Sequence, residues 1–269
     1  MSLDAMIDPI IEVSRRAGNV IMKYFEEGTS INIKADGSPV TAADQEAEKI
    51  IIPILRDLTP SIPIVAEESV AEGNLPQAHD NTFWLVDPLD GTKEFINQRT
   101  DFTVNIGLIR GGLPVLGVVL TPYDGLIWAG SKTTGAFIEN KKGSRERIST
   151  REPNGEKLTV VASRSHRSPE LENYIATLNV KESISRGSSL KFCLLASGQA
   201  DIYPRLGPTM EWDTAAGHAV LLAAGGRLTN FDGTTFKYGK PDFKNGWFIA
   251  CLLYTSPSPR DGLLSRMPG

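Results

Sequence analysis

The sequence predicts a layered α/β fold in which a hairpin-rich mixed sheet is followed by a second, smaller sheet. Three patterns carry this expectation. A helical apolar period occupies the N-terminus, a block of short apolar runs broken by turn residues follows it, and the remainder alternates strand-like with helix-like segments. With 269 residues, 41% of them hydrophobic, the chain can build one large domain or two closely packed halves.

From Leu3 to Glu27, apolar residues including Ile7, Ile10, Ile11, Ala17, Val20, Ile21 and Phe25 recur at helical spacing, and Gly28 stands where a helix-ending glycine belongs. A second helix is expected over residues 41–58. Thr41 and Asp44 have capping-box spacing there, and Ile50, Ile51, Ile54 and Leu55 form one buried face. Two short strands, 62–66 and 83–86, each run into carboxylates: Glu67 and Glu68 after the first, Asp87 and Asp90 after the second. A hairpin is expected from 102–109 and 114–120 around Gly111 and Gly112, with further strands at 126–129 and 136–139. Residues 140–156 are charged and contain Gly and Pro, and read as an exposed loop between halves 1–140 and 141–250. The second half is expected to run strand 158–163, helix 168–178, short helix 188–197, strand 200–203 and helix 213–224, closed by strands at 227–229 and 247–250.

The formal net charge is −4 and no basic stripe exists, which argues against a polymeric nucleic acid as partner. The only cysteines, Cys193 and Cys251, lack CxxC spacing, so a disulfide framework or zinc ribbon is not expected. No secretory leader and no run of 18 apolar residues is visible, which points to a cytoplasmic protein without a transmembrane segment. Residues 251–269, CLLYTSPSPRDGLLSRMPG, lack periodicity and resemble translated sequencing-adapter sequence; they are expected to be non-native.

The most informative stretch is Asp87-Pro88-Leu89-Asp90-Gly91-Thr92. Two carboxylates three residues apart at a strand exit, with a proline between them, can hold a hard cation such as Mg²⁺, and the Leu89 carbonyl could be a further ligand. Gly91 and Thr92, opening a helix, would direct their amides at a phosphate. Each piece also has a plainer reading. Asp, Pro and Gly favour turns, Glu67 and Glu68 can be a solvated strand end, and Asp44 and Asp213 can be helix caps.

Taken together, Ala66-Glu67-Glu68, Asp87-Pro88-Leu89-Asp90-Gly91-Thr92 and Trp212-Asp213-Thr214-Ala215-Ala216, with Thr41 and Asp44 upstream, resemble the signature motifs of the inositol monophosphatase superfamily. The continuation Lys93-Glu94-Phe95-Ile96 and Asp101 to Ile106 is similar to the bacterial CysQ-type 3'(2'),5'-bisphosphate nucleotidases. The resemblance implies a sugar-phosphatase-like αβαβα sandwich and a phosphatase acting on 3'-phosphoadenosine 5'-phosphate. It implies that Glu67, Asp87, the Leu89 carbonyl, Asp90 and Asp213 bind two or three Mg²⁺ ions. It also implies that Asp44 and Thr92 position the attacking water beside Glu67, and that Gly91, Thr92, His166, Ser188, Lys191, Arg205 and Asp213 contact the substrate. Lithium inhibition, a monomer or homodimer, and a peripheral contact with the inner membrane are compatible with it, the last without a mark in the sequence.

The alternatives differ in chemistry. The metal cradle says little about what bears the phosphate, so inositol monophosphate or a sugar phosphate is the neighbouring reading, and a catalytically silent metal and phosphate binder is one of another class. A phosphoaspartyl route is disfavoured because Asp87 and Asp90 are separated by two residues and not by one. No G-x-x-x-x-G-K-[ST] stretch exists for a nucleotide-fuelled kinase. For His166 a loop histidine and for Lys191 a solvated helix face compete with substrate binding, while His218, among Ala219 and Val220, reads as a packed helix residue.

Overall fold

The computed structural model describes residues 2–33, 39–74, 82–152, 157–164 and 168–252. The first helix, α1 (Leu3–Glu27), has the expected bounds, and Gly28 ends it at φ +85° with its N–H donating to the Tyr24 carbonyl. A small ribbon, β1 (Ile31–Ile33) paired with β2 (Pro39–Thr41), precedes α2 (Ala42–Leu58). Thr41 and Asp44 form the capping box at the start of α2.

The chain then lays down β3 (Ile64–Ala66), α3 (Glu67–Ala71), β4 (Phe83–Asp90) and α4 (Thr92–Ile96). An antiparallel meander follows: β5 (Thr103–Arg110), β6 (Leu113–Thr121), β7 (Leu126–Ser131), β8 (Gly135–Glu139) and β9 (Arg145–Ile148). These make a seven-stranded sheet in sequence order, parallel only between β3 and β4. The second half comprises β10 (Leu158–Ser163), α5 (Pro169–Ala176), β11 (Val180–Arg186), α6 (Leu190–Ala196), β12 (Ile202–Arg205), β13 (Thr209–Met210), α7 (Glu211–Ala223), β14 (Gly226–Asn230), β15 (Lys244–Asn245) and β16 (Phe248–Leu252). Its sheet has the order β11-β10-β12-β16-β14, with β16 antiparallel to both neighbours.

Strand alternation decides the layering, because successive side chains leave opposite faces. On β4, Trp84 and Val86 join Ile7, Ile10 and Ile51 of α1 and α2, whereas Phe83 and Leu85 join Phe192 of α6 and Ala216 of α7. On the far side of the smaller sheet, Leu171 and Tyr174 of α5 cover Val160, Ala162 and Ile202. The result is the αβαβα sandwich. Helix α7 lies so close to the large sheet that a Cβ at Gly117 would stand 2.2 Å from the Ala216 carbonyl oxygen, so glycine is required there.

Several elements differ from expectation. Residues 140–156 are not all loop, because β9 forms the edge of the large sheet with mostly exposed side chains. Its Arg145 meets Glu139 at 2.6 Å, and a charged edge strand carries no apolar alternation to read. The same holds for β11, a polar edge strand of the smaller sheet. Glu67 and Glu68 open a helix, α3, and are not a bare strand end. Helix α7 begins at Glu211, two residues before Asp213. Strand β16 runs on through Cys251 and Leu252, both buried and paired with Ile202 and Gly226, so these two residues of the set-apart tail are part of the sheet. The rest of that tail lies outside the described residues.

Candidate active site

The expected carboxylates are brought to one cleft of about 300 Å³, lined by Glu67, Asp87, Leu89, Asp90 and Asp213 and also by Lys191 and Arg205. Strand β4 does not stop at Val86 but continues to Asp90, and its register against β5 shifts between Asp87 and Asp90. The irregularity aims both aspartates at the cleft, as bulges near functional sites commonly do. Asp87 is buried and accepts from the Leu89 amide at 3.0 Å, and Gly91 follows with φ +93°. A Cβ at Gly91 would sit 3.0 Å from the Asp101 carbonyl, so the turn into α4 needs glycine twice over.

Asp44 makes the contacts of both readings that the sequence left open. Its Oδ2 accepts from the Thr41 amide at 2.8 Å and hydroxyl at 2.6 Å, capping α2, while its Oδ1 accepts from the Thr92 hydroxyl at 3.2 Å. The same hydroxyl is 3.2 Å from the Leu89 carbonyl. Burial raises the Asp44 pKa, and the bonds from Thr41 oppose the rise.

Lys191, which also lines the cleft, is buried at 4% exposure, which overturns the solvated-face reading. Its ammonium donates to the Ser188 carbonyl and lies 5.3 Å from the centre of the Tyr203 ring. Burial pulls its pKa down to about 8 against the opposing pull of Asp90. Arg205 is also buried and donates to the Pro208 carbonyl at 2.9 Å, but its Nε has no partner among the described residues, nor has the Ser188 hydroxyl. Buried polar atoms without a partner are uncommon in folded proteins, and both belong to residues that line the cleft. Arg164 is engaged by Asp101 at 2.8 Å and Glu94 at 3.3 Å. His166 lies outside the described residues. His218 is a packed residue of α7, with Nδ1 3.0 Å from the Tyr238 hydroxyl.

The electrostatics describe an acidic wall in need of a cation. Burial pushes the Asp90 carboxyl up to about 6, although Lys191, the Ser189 amide and Asn105 all pull it down. Asp213 is held well above the carboxylate range, first by burial and then by the charges of Asp90 and Glu67. Among the described residues no group of three or more acidic, histidine or cysteine side chains stands close enough together to hold a metal ion by itself. The donor set instead mixes carboxylates with a backbone carbonyl, all oxygen, in an open cleft. That fits a hard dication which keeps part of its shell for water and substrate.

Three positions escaped the sequence reading. Asn105 donates to Asp90 at 3.3 Å; Ser189 donates to Asn105 at 2.6 Å and also meets Thr103 at 2.9 Å. Glu48 holds the start of α3. The only advance signal for Glu48 was its place one turn beyond Asp44 on α2.

A sequence model of the inositol monophosphatase family matches residues 2–252. The 3'(2'),5'-bisphosphate nucleotidase CysQ of Escherichia coli K12 is 44% identical over 235 residues, covering 87% of this chain and 94% of that protein. CysQ of Buchnera aphidicola is 41% identical over 253 residues, covering 92% and 94%. Among solved structures, CysQ from Bacteroides thetaiotaomicron superposes with a TM-score of 0.75 at 39% identity, covering 91% of this chain and 96% of that one. The inositol monophosphatase from Anabaena gives 0.74 at 28% identity, covering 93% and 92%. No helix among the described residues is long and apolar enough to cross a membrane. With the family match running from the first turn of α1 to the end of β16, the chain belongs to the inositol monophosphatase family.

Proposed function

We propose that the chain is a Mg²⁺-dependent phosphatase that removes the 3'-phosphate of 3'-phosphoadenosine 5'-phosphate, giving AMP and phosphate, in the cytoplasm. The observation that carries this is one cleft lined both by a set of carboxylates and by two buried cations, Lys191 and Arg205. Relatives at 44% and 41% identity are named 3'(2'),5'-bisphosphate nucleotidases, and their substrate has two phosphates to place.

Glu67, Asp87, the Leu89 carbonyl, Asp90 and Asp213 would hold two or three Mg²⁺ ions. When bound, these supply Lewis-acid neutralisation of the phosphoryl oxygens and of the leaving alkoxide, and an acidified water. The remaining work falls to the chain. Thr92 has one hydroxyl proton, and Asp44 Oδ1 takes it as a hydrogen bond at 3.2 Å. The lone pairs of Thr92 Oγ1 are then free to accept from a water in the cleft, which fixes that water's orientation for in-line attack. Because Asp44 is itself tied to Thr41 by its other oxygen, the Thr92 hydroxyl has a fixed reference in α2. Lys191, Ser188 and Arg205, which line the cleft, would hold the second phosphate.

The test is Mg²⁺-dependent phosphate release from 3'-phosphoadenosine 5'-phosphate and from inositol 1-phosphate in parallel, with Asp90→Asn as control. A strong preference for the nucleotide, lowered by about three orders of magnitude in Asp90→Asn, is the expected result. Preference for the inositol ester would instead place the chain with relatives such as the Anabaena enzyme. Activity toward neither would favour a silent binder.

A further inference from the structure

We propose that Glu48 is a positioning residue for Glu67, acting through the start of α3. The inference rests on the reading of Glu67 as a Mg²⁺ ligand. Helix α3 has only five residues, and the residue that precedes it is Ala66, which offers no side-chain acceptor to the first amides. A helix start needs such acceptors, and one this short has little internal bonding to hold it without them. Glu48 supplies them from another helix. Its Oε2 accepts from the Glu68 amide at 2.8 Å, and its Oε1 accepts from the Ser69 amide at 2.9 Å and the Ser69 hydroxyl at 2.6 Å.

The geometry places Glu48 four residues after Asp44, on the same face of α2, and both are buried. One rigid helix therefore reaches the site twice: Asp44 fixes Thr92, and Glu48 fixes the backbone immediately after Glu67. The peptide joining Glu67 to Glu68 carries the amide that Glu48 grips, so the direction in which Glu67 leaves the backbone is tied to α2. Glu48 touches no reacting atom, and its effect is on where a ligand stands.

Glu48→Ala and the milder Glu48→Gln, which keeps the shape and one acceptor, test this in the full chain. Mg²⁺ binding is measured by calorimetry, alongside the Mg²⁺ midpoint of phosphate release. Exchange protection of the Glu68 and Ser69 amides is followed in the metal-free protein. The proposal expects both amides to lose protection in Glu48→Ala and the Mg²⁺ midpoint to rise about 10- to 100-fold, with a smaller rise in Glu48→Gln and little change in the KM for the nucleotide. In a Glu67→Ala background, Glu48→Ala should add no further loss of Mg²⁺ affinity, because its route runs through Glu67. An unchanged midpoint in folded Glu48→Gln and Glu48→Ala, or losses that simply add, would overturn the proposal. If Glu67→Ala alone leaves Mg²⁺ affinity intact, the ligand reading falls and takes the proposal with it. Amide protection would then still report whether Glu48 caps α3.

Discussion

The two walls of the cleft are built by opposite means. On the acidic wall nearly every carboxylate has a second occupation in the backbone. Asp44 caps α2, Asp213 accepts from the Met210 amide at 2.8 Å near the start of α7, and Asp87 accepts from the Leu89 amide. The local fold and the candidate ligand set are thus the same hydrogen bonds. On the basic wall, Lys191 and Arg205 are buried and anchored by carbonyls of neighbouring residues, yet Arg205 Nε and Ser188 Oγ stay open. The acidic side chains are tied into the local backbone, whereas the basic side keeps two buried polar atoms without a partner among the described residues.

The sharpest way to break this contrast is at the Thr92 hydroxyl, where the acidic wall meets the water. Thr92→Val keeps the shape and removes the group between Asp44 and the cleft. The turnover number is expected to fall about 10²- to 10³-fold toward every substrate, with KM nearly unchanged, and Thr92→Ser should restore most of it. Steady-state kinetics of both variants checks this. A rise in KM with turnover intact would move Thr92 from water positioning to substrate binding.

On the basic wall the expected signature is the reverse. A charge-assisted hydrogen bond to phosphate contributes about 1.5–3 kcal/mol, so Lys191→Met should raise the KM for the bisphosphate about 10- to 100-fold. It should affect inositol 1-phosphate, which has no second phosphate, several-fold less. Arg205→Met should behave alike. Equal losses on both substrates would mean that the cations serve the scissile phosphate, and the contrast between the walls would fail.

The same contrast explains what could be read in advance. Asp44, Glu67, Asp87, Asp90 and Asp213 stood out because they fall in short motifs that resemble the family's signatures, whereas their local chemistry alone pointed only to caps, turns and a strand end. Helices α1 and α2 were legible to within a residue, since each carries its own apolar period and cap. The burial of Lys191 was not legible, because it depends on Tyr203 and on β12 arriving beside α6, which no local pattern announces. Strands β9 and β11 were invisible for another reason: an edge strand facing water needs no alternation. Glu48 failed on sequence distance. Its partners lie 20 and 21 residues on, and a glutamate on an amphipathic helix looks like any solvated one.

The smallest expected effect lies where the walls are joined. Ser189 sits on the basic side, buried, yet its hydroxyl donates to the Asn105 carbonyl oxygen, and Asn105 turns its amide toward Asp90 on the acidic side. Removing the hydroxyl in Ser189→Ala leaves Asn105 Oδ1 and the Thr103 hydroxyl short of a partner in a buried place, a loss of about 1–2 kcal/mol in unfolding free energy by denaturant titration. Asn105 is then no longer held in the orientation that serves Asp90, so the Mg²⁺ midpoint should rise by only about 3- to 10-fold, a smaller shift than loss of a ligand gives. If the walls were independent, Ser189→Ala would lower stability while leaving that midpoint where it was. A shift in both, from a residue that sits beside Ser188 in the chain, would mean that the basic side tunes the acidic one through a single hydroxyl.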